Sequence, residues 1–336
     1  MKMNSNSKIF EELKKRAQGN ELSLRALREA YEKIKNTKIN LLLVGGSGVG
    51  KSSTINAIFD MEKAKVGKGT VPETSEINRY ELDNMVIWDT PGLGDSNQKD
   101  GSHKRKIINK LRERDENGNF LIDLVLLIVD GGTKDYDSTY NLIRNVVAPS
   151  IEGGKKECEN RLLVAINKAD SAMDRKNIWD DENNRPTEKL KNFLDEKVKT
   201  TKERIKESTS DIYDGGLDIE CIYYSAGYED EDGSQEPYNL AKLLNFILDK
   251  IPAKKRISVA NDISQKKGNF SSNDQGTNYE KSIEDSFLHS FVENLKDVIV
   301  KASENAKEIT SSLAIVLPIV KEGIVWVFNY FDKNKK

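Results

Sequence analysis

The sequence predicts an α/β fold: a doubly wound, mostly parallel sheet, preceded by a helical extension and followed by a helical tail. Three observations carry this. Short apolar runs alternate with amphipathic stretches from residue 37 to residue 252. One of those runs, 121–129, is apolar throughout except at Asp123, which is how a strand covered on both faces reads. The octapeptide Gly45-Gly46-Ser47-Gly48-Val49-Gly50-Lys51-Ser52 sits between an apolar run and a helical pattern, the context of an anion-binding turn.

The chain has 336 residues, room for one large domain with appendages or two modest ones. Its 53 Lys and Arg against 55 Asp and Glu leave a formal charge of −2, so nucleic acid is not an expected partner. Cys158 and Cys221 lie far apart and have no metal-ligand spacing with His103 or His289. They read as reduced thiols, and the expected setting is cytoplasmic. The first residues, Met1 to Asn6, carry no apolar core, so no secretory signal is expected.

Taken in order, residues 1–36 form the N-terminal helical extension. Phe10, Leu13 and Ala17 make one apolar line; Leu24, Leu27, Tyr31 and Ile34 make another beyond Gly19-Asn20. Up to Lys38 this segment holds ten Lys or Arg against five acids, read as a solvated helical face. Residues 37–252 form the main domain. Its strands are expected at 39–44, 85–89, 121–130, 161–166 and 219–224, with a more exposed, alternating strand at 76–82. Helices are expected at 51–61, 102–115, 136–149, 187–207 and 238–250. Pro252 closes the unit, 253–281 reads as a flexible linker, and 282–336 as a helical and apolar tail. In that tail Phe287, Phe291, Leu295, Val298 and Ala302 share one helical side.

The octapeptide fits a triphosphate. Glycines let main-chain N–H groups of Ser47, Gly48, Val49 and Gly50 turn inward, and the helix beginning there adds its positive end. Lys51 would bridge the outer phosphates; Ser52 would ligate Mg²⁺, with Ser53 beside it. Asp89-Thr90-Pro91-Gly92 follows the apolar strand 38 residues after Lys51. Asp89 would hold the Mg²⁺ shell, and the Gly92 N–H would meet the terminal phosphate. Between them Thr74, favoured over Thr70, would complete the metal coordination when that phosphate is present. Lys51, Thr74 and Gly92 are thus the groups assigned to the reacting phosphate.

Asn167-Lys168-Ala169-Asp170 follows another apolar strand. A carboxylate at Asp170 can accept two N–H donors from guanine, a pair that adenine does not offer. Asn167 would bind the base or tie its loop to the phosphate loop, and the Lys168 stem would cover the base plane. Ser225-Ala226, at the last strand, would add a main-chain N–H to the guanine carbonyl.

With these residues assembled, the chain resembles the Era-like P-loop GTPases, the superfamily that includes Era and septins. The stretch from Gly45 to Gly67, containing Asn56-Ala57-Ile58-Phe59, is similar to the bacterial YfjP-type branch, as are Trp179-Asp180 and Pro186 after the guanine motif. The resemblance covers residues 37–252, roughly two-thirds of the chain. It implies GTP and GDP as ligands, Mg²⁺ as cofactor and slow hydrolysis of GTP as a conformational switch. Two departures qualify it. Leu93 stands where Ras-like relatives place a water-orienting glutamine, so a catalytic group must come from dimerisation or a partner. Gly48 replaces the asparagine of potassium-activated relatives, so potassium stimulation is not expected. His103 reads as a solvent-facing histidine at a helix start rather than a base.

Stretch 313–331 is interrupted by Lys321-Glu322-Gly323, so neither piece spans a bilayer alone. Docking on the preceding helix or on a second subunit is favoured. Peripheral attachment to the inner face of the membrane through Trp326, Tyr330 and the terminal lysines stays open. The competing function is a GTP-gated self-assembling or membrane-associated scaffold with little hydrolysis. A ribosome-binding role rests on analogy alone.

Overall fold

The computed structural model describes residues 21–66, 77–92, 97–173, 178–230, 233–266, 268–270 and 277–302. Helix α1 (Glu21–Asn36) leads into β1 (Ile39–Gly45), a strand buried along its whole length. Leu41 and Leu43 face one core while Leu42 and Val44 face the other, as strand alternation requires. Then come α2 (Lys51–Ile58), β2 (Lys65–Val66), β3 (Asn78–Glu81), β4 (Met85–Asp89), α3 (Asn97–Arg112) and β5 (Leu124–Asp130). Helix α4 starts as Asp137–Leu142, widens to a π-helical segment, Ile143–Val147, and ends as Ala148–Ser150. After it lie α5 (Gly154–Arg161), β6 (Leu162–Asn167), α6 (Glu188–Ser208), β9 (Glu220–Tyr223) and α7 (Leu240–Lys250). Two small hairpins, β7 (Trp179–Asp180) with β8 (Arg185–Pro186) and β10 (Tyr228–Asp230) with β11 (Gly233–Gln235), flank the guanine motif and the last strand.

The main sheet has seven strands in the order β2-β3-β4-β1-β5-β6-β9. Strand β3 is antiparallel to β2 and to β4; the remaining pairs are parallel. Helices cover both faces, which makes the fold doubly wound as expected. One core joins Leu27 and Ile34 of α1, Ile55 of α2 and Leu243 and Ile247 of α7. The other joins Ile107 and Leu111 of α3, Val146 of α4, and Leu190, Leu194 and Ile205 of α6.

The region read as a linker from 253 onward requires a correction. Ala253–Asn261 is a 3₁₀ helix that buries Ile257, Val259 and Ala260 in the first core. Ile263, inside the stretch 261–281 whose polar composition reads as a linker, is buried as well. Helix α8 (Tyr279–Ala302) then packs Ile283, Phe287, Phe291, Leu295 and Val298 against α1 and the 3₁₀ helix. Burying a side chain such as Phe287 or Leu295 contributes about 2 kcal/mol. The N-terminal line Phe10, Leu13 and Ala17 and the stretch 313–331 lie outside the described residues.

Candidate functional site

Strand β1 delivers the chain at Gly45, and α2 begins six residues later at Lys51. Gly50 closes the turn with φ +92°, and a Cβ there would stand 2.2 Å from Asn167 Nδ2. Only glycine fits both the angle and the space. Val49 is anchored in the core, whereas Ser47, Gly48, Ser52 and Ser53 are exposed. The anchored valine fixes the loop while its rim stays open to a ligand. Lys51 Nζ donates to the carbonyls of Gly45 (3.2 Å) and Gly46 (2.9 Å), which holds the ammonium over the loop. Thr54 donates to the Gly50 carbonyl at 2.7 Å, and the Tyr224 hydroxyl lies 2.6 Å from the same Thr54 oxygen.

Strand β4, paired in register with β1, places Asp89 opposite Leu43 beside this loop. Burial raises the Asp89 carboxyl above the usual range, and the Lys51 ammonium pulls it back. Asp89 Oδ1 and Thr90 Oγ1 are buried with no hydrogen-bond partner among the described residues. Buried oxygens seldom stay unpaired. The acidic oxygen, with the exposed Ser52 hydroxyl, fits a hydrated Mg²⁺ ion, which favours hard oxygen donors and keeps several waters. Among the described residues no cluster of three His, Cys, Asp or Glu could hold a metal, so phosphate and water would supply the other positions. At Gly92 a Cβ would stand 2.7 Å from both Ser47 N and Ser47 Cα. Main chain therefore packs on main chain, and the loop after Asp89 touches the phosphate loop. Thr70, Thr74 and Leu93 lie outside the described residues.

The third wall is built by β6 and β9. Asn167 Nδ2 donates to the Val49 carbonyl (2.9 Å), and its Oδ1 accepts the Ala226 N–H (3.0 Å). Asn167 thus ties the two loops together, and the Ala226 N–H, expected to face a base, is taken up by it. Lys168 adopts the left-handed conformation with φ 60°, and its ammonium ends on Asp130 Oδ2 at 2.6 Å. The turn this creates brings the Ala169 N–H to the Tyr224 carbonyl at 3.1 Å. Ser225 Oγ lies 2.6 Å from Asp170 Oδ1 and orients that carboxylate.

His103 requires a second correction. It is buried, 4 % exposed, and its Nδ1 has no hydrogen-bond partner among the described residues. It sits one turn before Ile107 and two before Leu111 on the face that α3 turns to the sheet. Three supporting residues escaped sequence reasoning: Thr54, Tyr224 and Asp130. Asp130 and Tyr224 each end an apolar run at the edge of the site, a positional signal that strand ends provide.

Residues 40–168 match the 50S ribosome-binding GTPase family. Among curated proteins, the probable GTP-binding protein EngB of Rickettsia bellii is 31% identical over 144 residues, 41% of this chain and 60% of its own. The interferon-inducible GTPase 1 of mouse is 34% identical over 92 residues, 26% of this chain and 22% of its own. The chain thus spans between about a fifth and three-fifths of these relatives. Among solved structures, a probable GTP-binding protein engB aligns at 20% identity and TM-score 0.36, covering 63% of this chain and 98% of its own. Era of Aquifex aeolicus aligns at 18% identity and TM-score 0.37, covering 67% of each chain. Residues 40–168 are thus similar to a GTPase family, and the relatives are by name GTP-binding proteins or GTPases.

Proposed function

We propose that the protein binds GTP with Mg²⁺ and hydrolyses it slowly, working as a conformational switch. The observation that carries this is Asn167, whose side chain joins the phosphate loop to the guanine loop through two hydrogen bonds. A nucleotide spanning both loops meets one rigid pocket with main-chain donors at one end and Asp170 at the other. In that pocket Ser47 to Ser53 cradle the phosphates and Asp170, oriented by Ser225, selects guanine. Ser52 and Asp89 hold the metal, which would screen the phosphate charge, and Thr74 joins them. Gly92 against Ser47 makes the loop after Asp89 sensitive to the terminal phosphate.

The Leu93 side chain has no hydrogen-bonding group, so intrinsic turnover is slow, on the order of 10⁻⁴ to 10⁻³ s⁻¹. A second copy or a partner supplies the missing group. The Gly45-to-Gly67 stretch and Trp179-Asp180 favour the Era-like, YfjP-type branch. Two buried thiols suit a reducing, cytoplasmic setting. No described helix is long and apolar enough to cross a membrane.

The test is calorimetry with GTP and ATP, followed by single-turnover hydrolysis across protein concentration. GTP should bind at least about a hundredfold more tightly than ATP, since a mismatched base leaves buried polar groups unpaired. Asp170→Asn should move the preference toward xanthine nucleotides. Hydrolysis should accelerate with protein concentration. Equal affinity for ATP would end the proposal. Tight GTP binding with assembly but no turnover would favour the scaffold reading.

A further inference from the structure

The turn between β3 and β4 lies at the end of the hairpin opposite Asp89. It is gripped by a residue 178 positions from Asn84 in sequence. The Asp262 carboxylate accepts the N–H groups of Asp83 (3.0 Å), Asn84 (2.7 Å) and Met85 (2.6 Å), and the residue is 2 % exposed. Its main chain holds a second element. The Asp262 carbonyl accepts the Asp60 N–H at 2.8 Å, the Ser264 N–H donates to the Ile58 carbonyl at 2.8 Å, and Phe59 bridges Ile263. Asp262 therefore fastens the exit of α2 and the turn of the β3–β4 hairpin. Those two points bracket the segment that contains Thr70 and Thr74.

The same knot reaches the helices. Asn84 Oδ1 accepts from Asn261 Nδ2 at 2.7 Å, and Asn84 Nδ2 lies 3.0, 3.1 and 2.7 Å from the carbonyls of Ile34, Lys35 and Thr37 at the end of α1. Ser258 Oγ donates to the Ile34 carbonyl at 3.1 Å. On the far side of the 3₁₀ helix, the Ile257 N–H donates to Ser290 Oγ (3.0 Å) and Asn294 Nδ2 to the Lys254 carbonyl (2.6 Å), both in α8.

We infer that Asp262 couples the nucleotide site to the paired helices α1 and α8, so that the nucleotide sets the packing of α8 and anything that grips α8 alters nucleotide preference. Hydrogen bonds to an ionised carboxylate are short and strong, so a hairpin that shifts along β1 carries Asp262 with it. The 3₁₀ helix is held to α8 by its own buried bonds and follows. Coupling of this kind is reciprocal by thermodynamic necessity. The inference rests on the switch reading above.

Hydrogen exchange of the full chain, with GDP and with a non-hydrolysable GTP analogue in Mg²⁺, tests it. Peptides within 283–298 should exchange differently in the two states. In Asp262→Asn that difference should shrink at least about fivefold, while either nucleotide still protects 45–52. A merely structural role for Asp262 would slow or speed exchange equally in both states. The inference is overturned if 45–52 and 85–92 respond to nucleotide while 283–298 does not, or if the variant keeps the full difference. Absence of protection at 45–52 would remove the switch reading and this inference with it. Should Asp262→Asn fail to fold, Asp262→Ser, whose single hydroxyl cannot accept all three N–H groups, is expected to reduce the difference likewise, and an unchanged difference there overturns the inference.

Discussion

Asn167 Nδ2 lies 2.9 Å from the Val49 carbonyl, so the end of β6 and the turn after β1 are a single mechanical unit. The bond is buried, and Gly50 must lack a Cβ for it to form. Two glycine-permitted features, the left-handed turn and the approach of the amide, therefore depend on one another.

Replacing this residue tests that dependence without nucleotide. Asn167→Ala leaves the Val49 carbonyl and the Ala226 N–H buried and unpaired, each costing about 1–3 kcal/mol. Urea unfolding of the nucleotide-free protein should show a loss of about 2–6 kcal/mol. GDP affinity should fall by at least about tenfold. Unchanged stability with weakened binding would mean that Asn167 serves the base alone.

Gly92→Ala addresses the switch. A methyl group 2.7 Å from Ser47 N and Cα must push the loop after Asp89 away from the phosphate loop. GDP contacts made by 45–52 survive, so GDP affinity should stay within about threefold. Displacing a reacting group by about 1 Å costs on the order of 10²-fold in rate. Single-turnover assays at saturating GTP should find that loss, and an unchanged rate would detach Gly92 from hydrolysis.

The thiols give a third test. Burial pushes Cys221 up to about 12, with Lys202 opposing, and raises Cys158 despite its contact with Tyr213. Neither is then a thiolate at neutral pH. Ellman's reagent should find no reactive thiol in the native protein and both once it is denatured. A rapid native reaction would show local opening near α5 or β9.

How far the site could be read from sequence depends on how local its parts are. Gly45 to Ser52, Asp89 to Gly92 and Asn167 to Asp170 are contiguous words at strand ends, and the fold brings the first and last together through β1, β5 and β6 as the alternation implies. The α8 face, Phe287 to Val298, is visible because helical period is. His103, read as solvent-facing, is buried, although its four-residue spacing to Ile107 and Leu111 marks the buried side of α3. Asp262 was not. A carboxylate that caps main-chain N–H groups 178 positions away leaves no periodic trace, and its polar neighbours disguise an ordered segment as a linker. Hairpins with strands of two or three residues are shorter than any pattern can register.

The Asp262 knot also fixes a pH dependence. Burial raises this carboxyl from 3.8 to about 6, outweighing the N–H donors of Asn84, Met85 and Asp83, and the nearby Asp83 carboxylate adds to the rise. A folded-state value above the unfolded one means that the folded protein binds the proton more tightly. The resulting stabilisation is complete below pH 3.8 and is lost as pH rises through about 6. A shift of about two units corresponds to ~3 kcal/mol. Other titrating groups, Asp89 and Asp249 among them, cancel when the wild type is compared with Asp262→Asn. The stability difference between the two proteins, from denaturant unfolding at pH 4 to 7.5, should therefore shift in the variant's favour by up to ~3 kcal/mol as pH rises. A shift toward the wild type would show that the three N–H donors dominate burial and that the carboxylate is held ionised well below pH 6.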